Sequence, residues 1–131
     1  MKVHPTLDSQ LSSQRHDKLT LPIGGHWHLT LTIPPTYPNT PPEIRFRTPI
    51  CHPNVSFTTG EICLDLLTSA SWTPAYGLVS TLEAVQQLLA GGGEPDSPLN
   101  IDLAKLVREG DLVGAEALVR FYTGVYAINQ E

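Results

Sequence analysis

The sequence predicts an α+β fold, with a small antiparallel sheet in the first half of the chain and helices mainly towards the C-terminus. Residues 26–33 alternate between apolar and polar, which is typical of a half-buried strand. A proline-rich stretch follows, and beyond residue 80 three segments carry apolar residues at helical spacing. The chain has 131 residues, of which 40% are hydrophobic. It is therefore long enough for one domain with a single core.

The first strand pattern is followed by a loop and a second, shorter strand pattern. Prolines at positions 34, 35, 38, 41 and 42 forbid regular hydrogen bonding and force an ordered loop. Ile44 and Phe46 then predict the second strand. In the first strand we expect one face to lie against the core and the other to face solvent. The inward residues are Trp27, Leu29, Leu31 and Ile33, and the outward residues are His26, His28, Thr30 and Thr32.

Three helices are predicted in the second half. A capping-box pattern at Ser80–Glu83 predicts where the first begins, with Leu82, Val85, Leu88 and Leu89 facing inward. It should end at Gly91–Gly93, where the glycines follow a helix and precede no Lys-Ser/Thr pair. We therefore interpret them as a helix terminus and not as a phosphate cradle. Two more helices are predicted over Leu99–Val107 and Leu112–Ile128. In the last one we expect a core-facing set made of Leu118, Phe121, Tyr122 and Val125.

Residues 1–23 form the least regular part of the sequence. Val3, Leu7 and Leu11 recur at four-residue spacing, but prolines and serines interrupt the pattern. A short weak helix and a mobile arm both remain open. We divide the chain into a divergent or mobile N-terminal segment, 1–23, and a core domain, 24–131.

Composition excludes several classes of function. The net charge is -5 and the basic residues are scattered, which argues against a nucleic-acid surface. No apolar run approaches the length of a membrane span, and the polar start does not make a secretory signal, so we expect a cytoplasmic protein. In a reducing compartment Cys51 and Cys63 should be thiols with separate roles and not a disulfide.

The candidate site lies between Thr48 and Leu66. Cys63 follows a turn at Thr59-Gly60, and Asn54 stands nine residues before it in the turn made by His52-Pro53-Asn54. A thiol and an amide donor, with no adjacent acid or base, suggest acyl transfer. Two other interpretations stay open: a lone cysteine is often a buried small hydrophobe, and Asn54 could equally hold its loop through backbone hydrogen bonds.

Two neighbouring groups also leave alternatives. Asp65 could orient or deprotonate an incoming nucleophile, or it could cap a short helical turn. Cys51, His52 and Cys63 are potential metal ligands, but no Cys-x-x-Cys pair completes a set, so we expect no metal.

The motifs from residue 24 to residue 128 resemble the ubiquitin-conjugating enzyme family, over about four fifths of the chain. The motifs, in the family's order, are Tyr37-Pro38, Pro41-Pro42, His52-Pro53-Asn54, Gly60-Glu61-Ile62-Cys63-Leu64-Asp65, Trp72-Thr73-Pro74-Ala75 and Ser97-Pro98-Leu99-Asn100. The resemblance implies that ubiquitin arrives as a thioester on a ubiquitin-activating enzyme and moves to Cys63. Asn54 would stabilise the oxyanion when the thioester is discharged. It also implies no cofactor in this chain, since ATP is used by the activating partner.

Further residues take roles by the same resemblance. His52 would anchor its loop and is a weaker candidate for a base. Ser97, with Asp96 beside it, would stand at the mouth of the site. Two loops would face a RING-type ubiquitin ligase, although Asn39 occupies a position where a large apolar residue is frequent. The predicted ligase-facing residues are Trp72, Pro74, Ala75, Pro41 and Pro42.

The start of the chain departs from the family pattern, which normally places a helix and two strands before residue 24. If they are absent, the strand at 26–33 would expose an unpaired edge. The departure leaves two alternatives: a carrier of ubiquitin, or a truncated paralogue that cannot be charged and acts as a binding module. A cysteine hydrolase is a third, and it would need an imidazole close to Cys63.

Some features resemble the peroxisomal branch of the family in particular. They are the long loop between Asn54 and Cys63, the Ser97–Asn100 motif and the segment Leu118–Tyr122. This likeness implies an enzyme at the cytosolic face of the peroxisomal membrane, held there by a membrane-anchor peroxin. Its acceptor would be a cysteine of the peroxisomal import receptor.

Overall fold

An antiparallel sheet in the order β1-β2-β3 precedes the helices, in a computed structural model that describes residues 2–3, 19, 21–22, 24–91 and 98–128. The strands are β1 (Lys2–Val3), β2 (Trp27–Thr32) and β3 (Glu43–Phe46). The helices are α1 (Gly77–Ala90), α2 (Ile101–Arg108) and α3 (Leu112–Tyr126), and two 3-10 turns cover Asp65–Leu67 and Pro74–Tyr76. The predicted α+β class and the C-terminal position of the helices are confirmed.

The alternating pattern of β2 decides which face of the sheet meets the core. β2 pairs with β3 from Leu29↔Phe46 to Thr32↔Glu43. Trp27 and Leu29 are buried and Leu31 is half-buried, as predicted. The prediction for Ile33 is wrong, because the strand ends at Thr32 before the prolines and Ile33 is 46% exposed.

The N-terminal part of the sheet differs from the expected open edge. β1 pairs with the start of β2 through Lys2↔His28 and Val3↔Trp27, so this part of the edge is covered. Leu19 and Leu21 are buried and belong to the same core cluster as Trp27. We predicted either a short helix or an arm over residues 1–23, and most of those residues lie outside the described ranges.

The predicted start of α1 is wrong, because α1 begins at Gly77 and the residues Ser80–Glu83 lie inside it. The physical reason is the turn that precedes the helix. Thr73 caps that turn by accepting a hydrogen bond from the Ala75 N–H at 3.1 Å, and the chain continues from it into α1. Ser80 therefore does not cap a terminus, and next to it inside the helix the Thr81 hydroxyl donates to the Gly77 carbonyl at 2.6 Å.

The inward face of α1 matches the prediction. Val85 and Leu89 are buried, and Leu82 and Leu88 pack against the core. The helix ends at Ala90, where the Gly91 N–H still donates to the Gln87 carbonyl at 2.8 Å. Gly92 and Gly93 lie outside the described residues.

The last two helices begin at side-chain caps. The Asn100 and Asp111 side chains accept hydrogen bonds from the N–H groups of Leu103 (3.1 Å) and Gly114 (2.9 Å). α2 begins two residues later and α3 ends two residues earlier than expected.

The predicted core face of α3 is only partly correct. Phe121 and Val125 are 62% and 54% exposed, because the helix turns smaller residues towards the core. Those residues are Ala115, Val119 and Thr123. Tyr122 and Leu118 pack at the edge of the core, as predicted. No helix in the described part of the chain has the length and apolar character needed to cross a membrane.

Candidate active site

Asn54 and Cys63 lie opposite each other in a small antiparallel hairpin, which we call the site hairpin (residues 54–63). Its central pair is the bridge Val55↔Ile62. The Ser56 N–H donates to the Glu61 carbonyl on one side, and the Cys63 N–H donates to the Asn54 carbonyl on the other, both at 2.8 Å. Opposite residues in such a pair have Cβ atoms about 4.5–5.5 Å apart. The backbone register therefore sets Cys63 opposite Asn54.

The turn of the hairpin depends on Gly60. Its φ of +74° favours glycine, and a Cβ there would collide with the backbone carbonyl of Phe46. The Gly60 N–H donates to the Ser56 carbonyl, and the Gly60 carbonyl accepts from the Phe46 N–H, both at 2.9 Å. These contacts close the turn and attach the returning strand to β3.

The two cysteines are free thiols in different surroundings, as predicted. Cys63 is half-buried, and its sulfur makes no hydrogen bond within the described residues. Cys51 is 2% exposed, and burial raises the pKa of its thiol to about 11 against the opposing effect of a hydrogen bond from Asn100. Cys63 is thus the thiol that another molecule can reach.

His52 is held by hydrogen bonds at both of its ring nitrogens. Its Nδ1 accepts from the Asn54 N–H at 3.1 Å, so the proton lies on Nε2, which donates to the Leu88 carbonyl at 3.2 Å. Burial lowers the pKa of His52 to about 4, opposed by the bond to Leu88. His52 is therefore a neutral ring that joins the loop to α1.

No imidazole in the described part of the chain bonds to the sulfur of Cys63. A cysteine hydrolase depends on a thiol–imidazole pair, and the described residues form none. Over the same residues, no group of three His, Cys, Asp or Glu side chains is placed to hold a metal ion.

Asn54 is completely buried, and its backbone contributes to the loop. Its N–H is bonded to His52 and its carbonyl to Cys63. For its side chain, loop-holding and stabilisation of the oxyanion both stay predictions.

The segment before α2 closes over this turn, which the sequence analysis did not foresee. The Pro53 carbonyl accepts from the N–H groups of Leu99 (2.8 Å) and Asn100 (3.1 Å). The Asn100 side chain caps α2 and also donates to the Cys51 sulfur at 3.9 Å. Asn100 stands directly before the apolar pattern of α2, where a helix cap is typical, and this was the sequence signal that could have identified its role. The predictions for Ser97 and Asp96 concern residues outside the described ranges.

Asp65 lies two residues after Cys63, in the first position of a 3-10 turn. The cap of that turn is Leu64, and no side chain bonds to it, so the capping interpretation of Asp65 is wrong. Asp65 is exposed, and its backbone carbonyl accepts from the Thr68 hydroxyl at 2.7 Å. The role of this exposed carboxylate in orienting an incoming nucleophile stays a prediction.

The two predicted ligase-facing loops meet at Trp72. Its indole N–H donates to the Pro38 carbonyl at 2.8 Å, and its ring contacts Tyr37 and Tyr76 at centroid distances of 6.2 and 5.8 Å. Because Trp72 is only 8% exposed, it joins the loops and projects little surface of its own. Around it, Pro74 and Ala75 are exposed, Pro41 is half-buried and Pro42 is buried.

Comparison with known proteins identifies the family of this arrangement. Residues 18–121 match the family model described as "Ubiquitin-conjugating enzyme". The chain is 51% identical over 98 residues to "Ubiquitin-conjugating enzyme E2 PEX4" of Gibberella zeae, covering 75% of this chain and 56% of the relative. It is 48% identical over 105 residues to "Protein PEROXIN-4" of Arabidopsis thaliana, covering 80% and 66%.

A solved structure shows the same likeness. The H. polymorpha ubiquitin-conjugating enzyme Pex4p, in complex with the soluble domain of Pex22p, matches with a TM-score of 0.75 and 38% identity, over 81% of this chain and 69% of that one. The chain spans 56% and 66% of the length of the two curated relatives.

Proposed function

The chain belongs to the ubiquitin-conjugating enzyme family, and we propose that it accepts ubiquitin from an activating enzyme as a thioester on Cys63 and transfers it to a substrate protein. The observation that carries this proposal is the site hairpin. It sets the half-buried Cys63 opposite Asn54, while Cys51 is buried in the core. One accessible thiol beside one amide is the minimum that a carrier of an acyl group requires.

The charging step is an exchange between thiols. The Cys63 thiolate attacks the thioester carbonyl of ubiquitin, a new carbon–sulfur bond forms, and the activating enzyme's cysteine leaves as a thiolate that takes up a proton. Because one thioester replaces another, the step is close to thermoneutral and depends on placement of the reactants. A sulfur without a bonded base fits this chemistry.

The discharge step makes a greater demand on the site. A lysine amine or a cysteine thiol of the substrate attacks the same carbonyl, and negative charge develops on its oxygen. The Asn54 amide, opposite Cys63 in the hairpin, would donate to that oxyanion. Asp65 would orient the incoming group.

We place the chain in the peroxisomal branch of the family. The relatives named PEX4 and PEROXIN-4 support this, as does the solved Pex4p complex with the soluble domain of Pex22p. The substrate would be the peroxisomal import receptor, modified at a cysteine on the cytosolic side of the membrane. A membrane-anchor peroxin would hold the chain there, and a RING-type ligase would contact the surface around Pro74 and Ala75.

Charging with purified components tests the proposal. The chain is incubated with activating enzyme, ATP and ubiquitin, and the products are separated with and without reductant. We expect an adduct that reductant removes, that is absent in Cys63→Ala and that persists in Cys51→Ala. If the folded chain forms no adduct, the carrier proposal fails and the binding-module alternative is favoured.

A further inference from the structure

Phe57, in the turn of the site hairpin, packs against aromatic rings of α3. Its ring centroid lies 4.9 Å from that of Tyr122 and 5.8 Å from that of Tyr126, in tilted and edge-on arrangements. The two tyrosines stack on each other at 6.3 Å. All three residues are half-buried. Such distances and angles are those at which aromatic pairs attract beyond the effect of simple burial.

The partner side of this contact is firmly anchored. Ala115, Val119 and Thr123 on α3 are buried, and the Thr123 hydroxyl donates to the Val119 carbonyl at 2.7 Å. At the end of α3 the Ala127 carbonyl accepts from the His26 N–H at 2.9 Å, which ties the helix to the start of β2. The tyrosines therefore form a fixed surface for Phe57.

The two strands of the hairpin are attached in different ways. The returning strand is fixed to β3 through the bond between Phe46 and Gly60 and the bridge Arg45↔Glu61. The outgoing strand, 54–56, is held at its beginning by the bonds that His52 and Pro53 make, and in its middle by Val55, which is buried in the core. Beyond the bonds inside the hairpin, the contact of Phe57 with α3 holds its far end.

We propose that Phe57, seated on Tyr122 and Tyr126, is a positioning residue that fixes Asn54 opposite Cys63. Without the ring contact the outgoing strand would keep its beginning and lose its far anchor. The bonds from Ser56 to Glu61 and from Cys63 to Asn54 would then open more often. The effect on ubiquitin transfer rests on the proposed function, whereas the effect on the hairpin does not.

The first test uses amide hydrogen exchange and needs no ubiquitin. In Phe57→Ala we expect the Ser56 and Cys63 amides to exchange roughly 3- to 10-fold faster, with the buried face of α1 unchanged. Phe57→Tyr keeps the ring and should restore protection. Val125→Ala, an exposed position on the same helix, should leave both amides unchanged and serves as the matched control. Equal exchange in Phe57→Ala and wild type would overturn the proposal.

The second test measures single-turnover discharge of the thioester to a free amine or thiol. We expect Phe57→Ala to be charged normally and to discharge more slowly by a similar factor. In Phe57→Tyr we expect the wild-type discharge rate. Faster exchange together with an unchanged discharge rate would overturn the positioning role. If the wild-type chain forms no thioester, the proposed function has failed, and the exchange experiment alone decides on the role of Phe57.

Discussion

Cys51 lies before the turn made by His52-Pro53-Asn54 and Cys63 lies at the end of the site hairpin, and the two thiols differ sharply in their surroundings. The stretch with Cys51 and His52 is buried and packs against α1 and the start of α2 through Leu88 and Asn100. Cys63 is the last residue of the returning strand of the site hairpin. It is half-buried, and its sulfur makes no hydrogen bond among the described residues. A solvent-excluded loop therefore supports a thiol that stays reachable.

The largest expected contrast is between the alkylation rates of the two thiols. With a pKa of about 11, roughly one in a thousand Cys51 side chains is a thiolate at pH 8, and burial blocks access as well. We expect iodoacetamide to modify Cys63 at least about 100-fold faster than Cys51, as followed by peptide mass spectrometry. In urea the two rates should converge. Similar rates in the folded chain would contradict the burial of Cys51.

Asn54→Ala should separate the two steps of transfer. If the amide stabilises the oxyanion, charging should stay nearly intact while discharge slows about 100-fold, a typical cost of removing one such donor. Single-turnover assays of both steps measure the split. An equal loss in charging and discharge would mean that Asn54 holds the loop and does not act on the carbonyl. Circular dichroism of the variant controls for folding.

The buried His52 should make stability depend on pH. Its pKa is about 4 in the folded chain and near 6.5 when exposed, so the unfolded chain binds the proton first as pH falls. The contribution of neutral His52 to the free energy of unfolding is fully present above pH 6.5 and is lost progressively as the pH falls to 4. Between pH 7 and pH 5 we expect this group to cost about 2 kcal/mol of the free energy of unfolding.

Urea unfolding of the wild type and His52→Gln at both pH values measures this cost. The glutamine variant does not titrate in this range and should lose about 2 kcal/mol less over the same interval, whatever its stability at pH 7. Parallel pH dependence in the two proteins would show that His52 is not held neutral.

The smallest predicted effect concerns Asn100. Its side chain caps α2 and donates to the Cys51 sulfur, so Asn100→Ala should reduce the free energy of unfolding by about 1 kcal/mol. Asn100→Asp keeps the capping oxygen and removes the donor, and it should recover the part due to the cap. Thermal or urea unfolding of the three proteins resolves the two contributions. No loss in the alanine variant would contradict the capping role.

The sequence predicted what depends on local pattern. The alternation in β2 and the spacing of Val85 and Leu89 place side chains on one face, so their burial followed directly. The motifs around Asn54 and Cys63 predicted a thiol and an amide in one site, and the hairpin sets these two residues opposite each other, while their roles stay predictions.

The sequence did not predict what depends on packing over long distances. The bond from His52 to Leu88 joins residues 36 positions apart, and no local pattern reveals it. α1 begins at Gly77 because the preceding turn leads directly into it, which overrides the capping-box pattern. Which face of α3 meets the core depends on its packing against α2, so Phe121 was assigned inward and lies outside.

The central claim is that Cys63 carries ubiquitin, and the most direct measurement locates the adduct on the chain. After charging, the protein is digested without reductant, and the peptide bearing the C-terminal residues of ubiquitin is identified by mass spectrometry. We predict a thioester at Cys63 that hydroxylamine cleaves, with Cys51 unmodified. Ubiquitin attached at Cys51, or bonded only through a lysine that resists hydroxylamine, would contradict it.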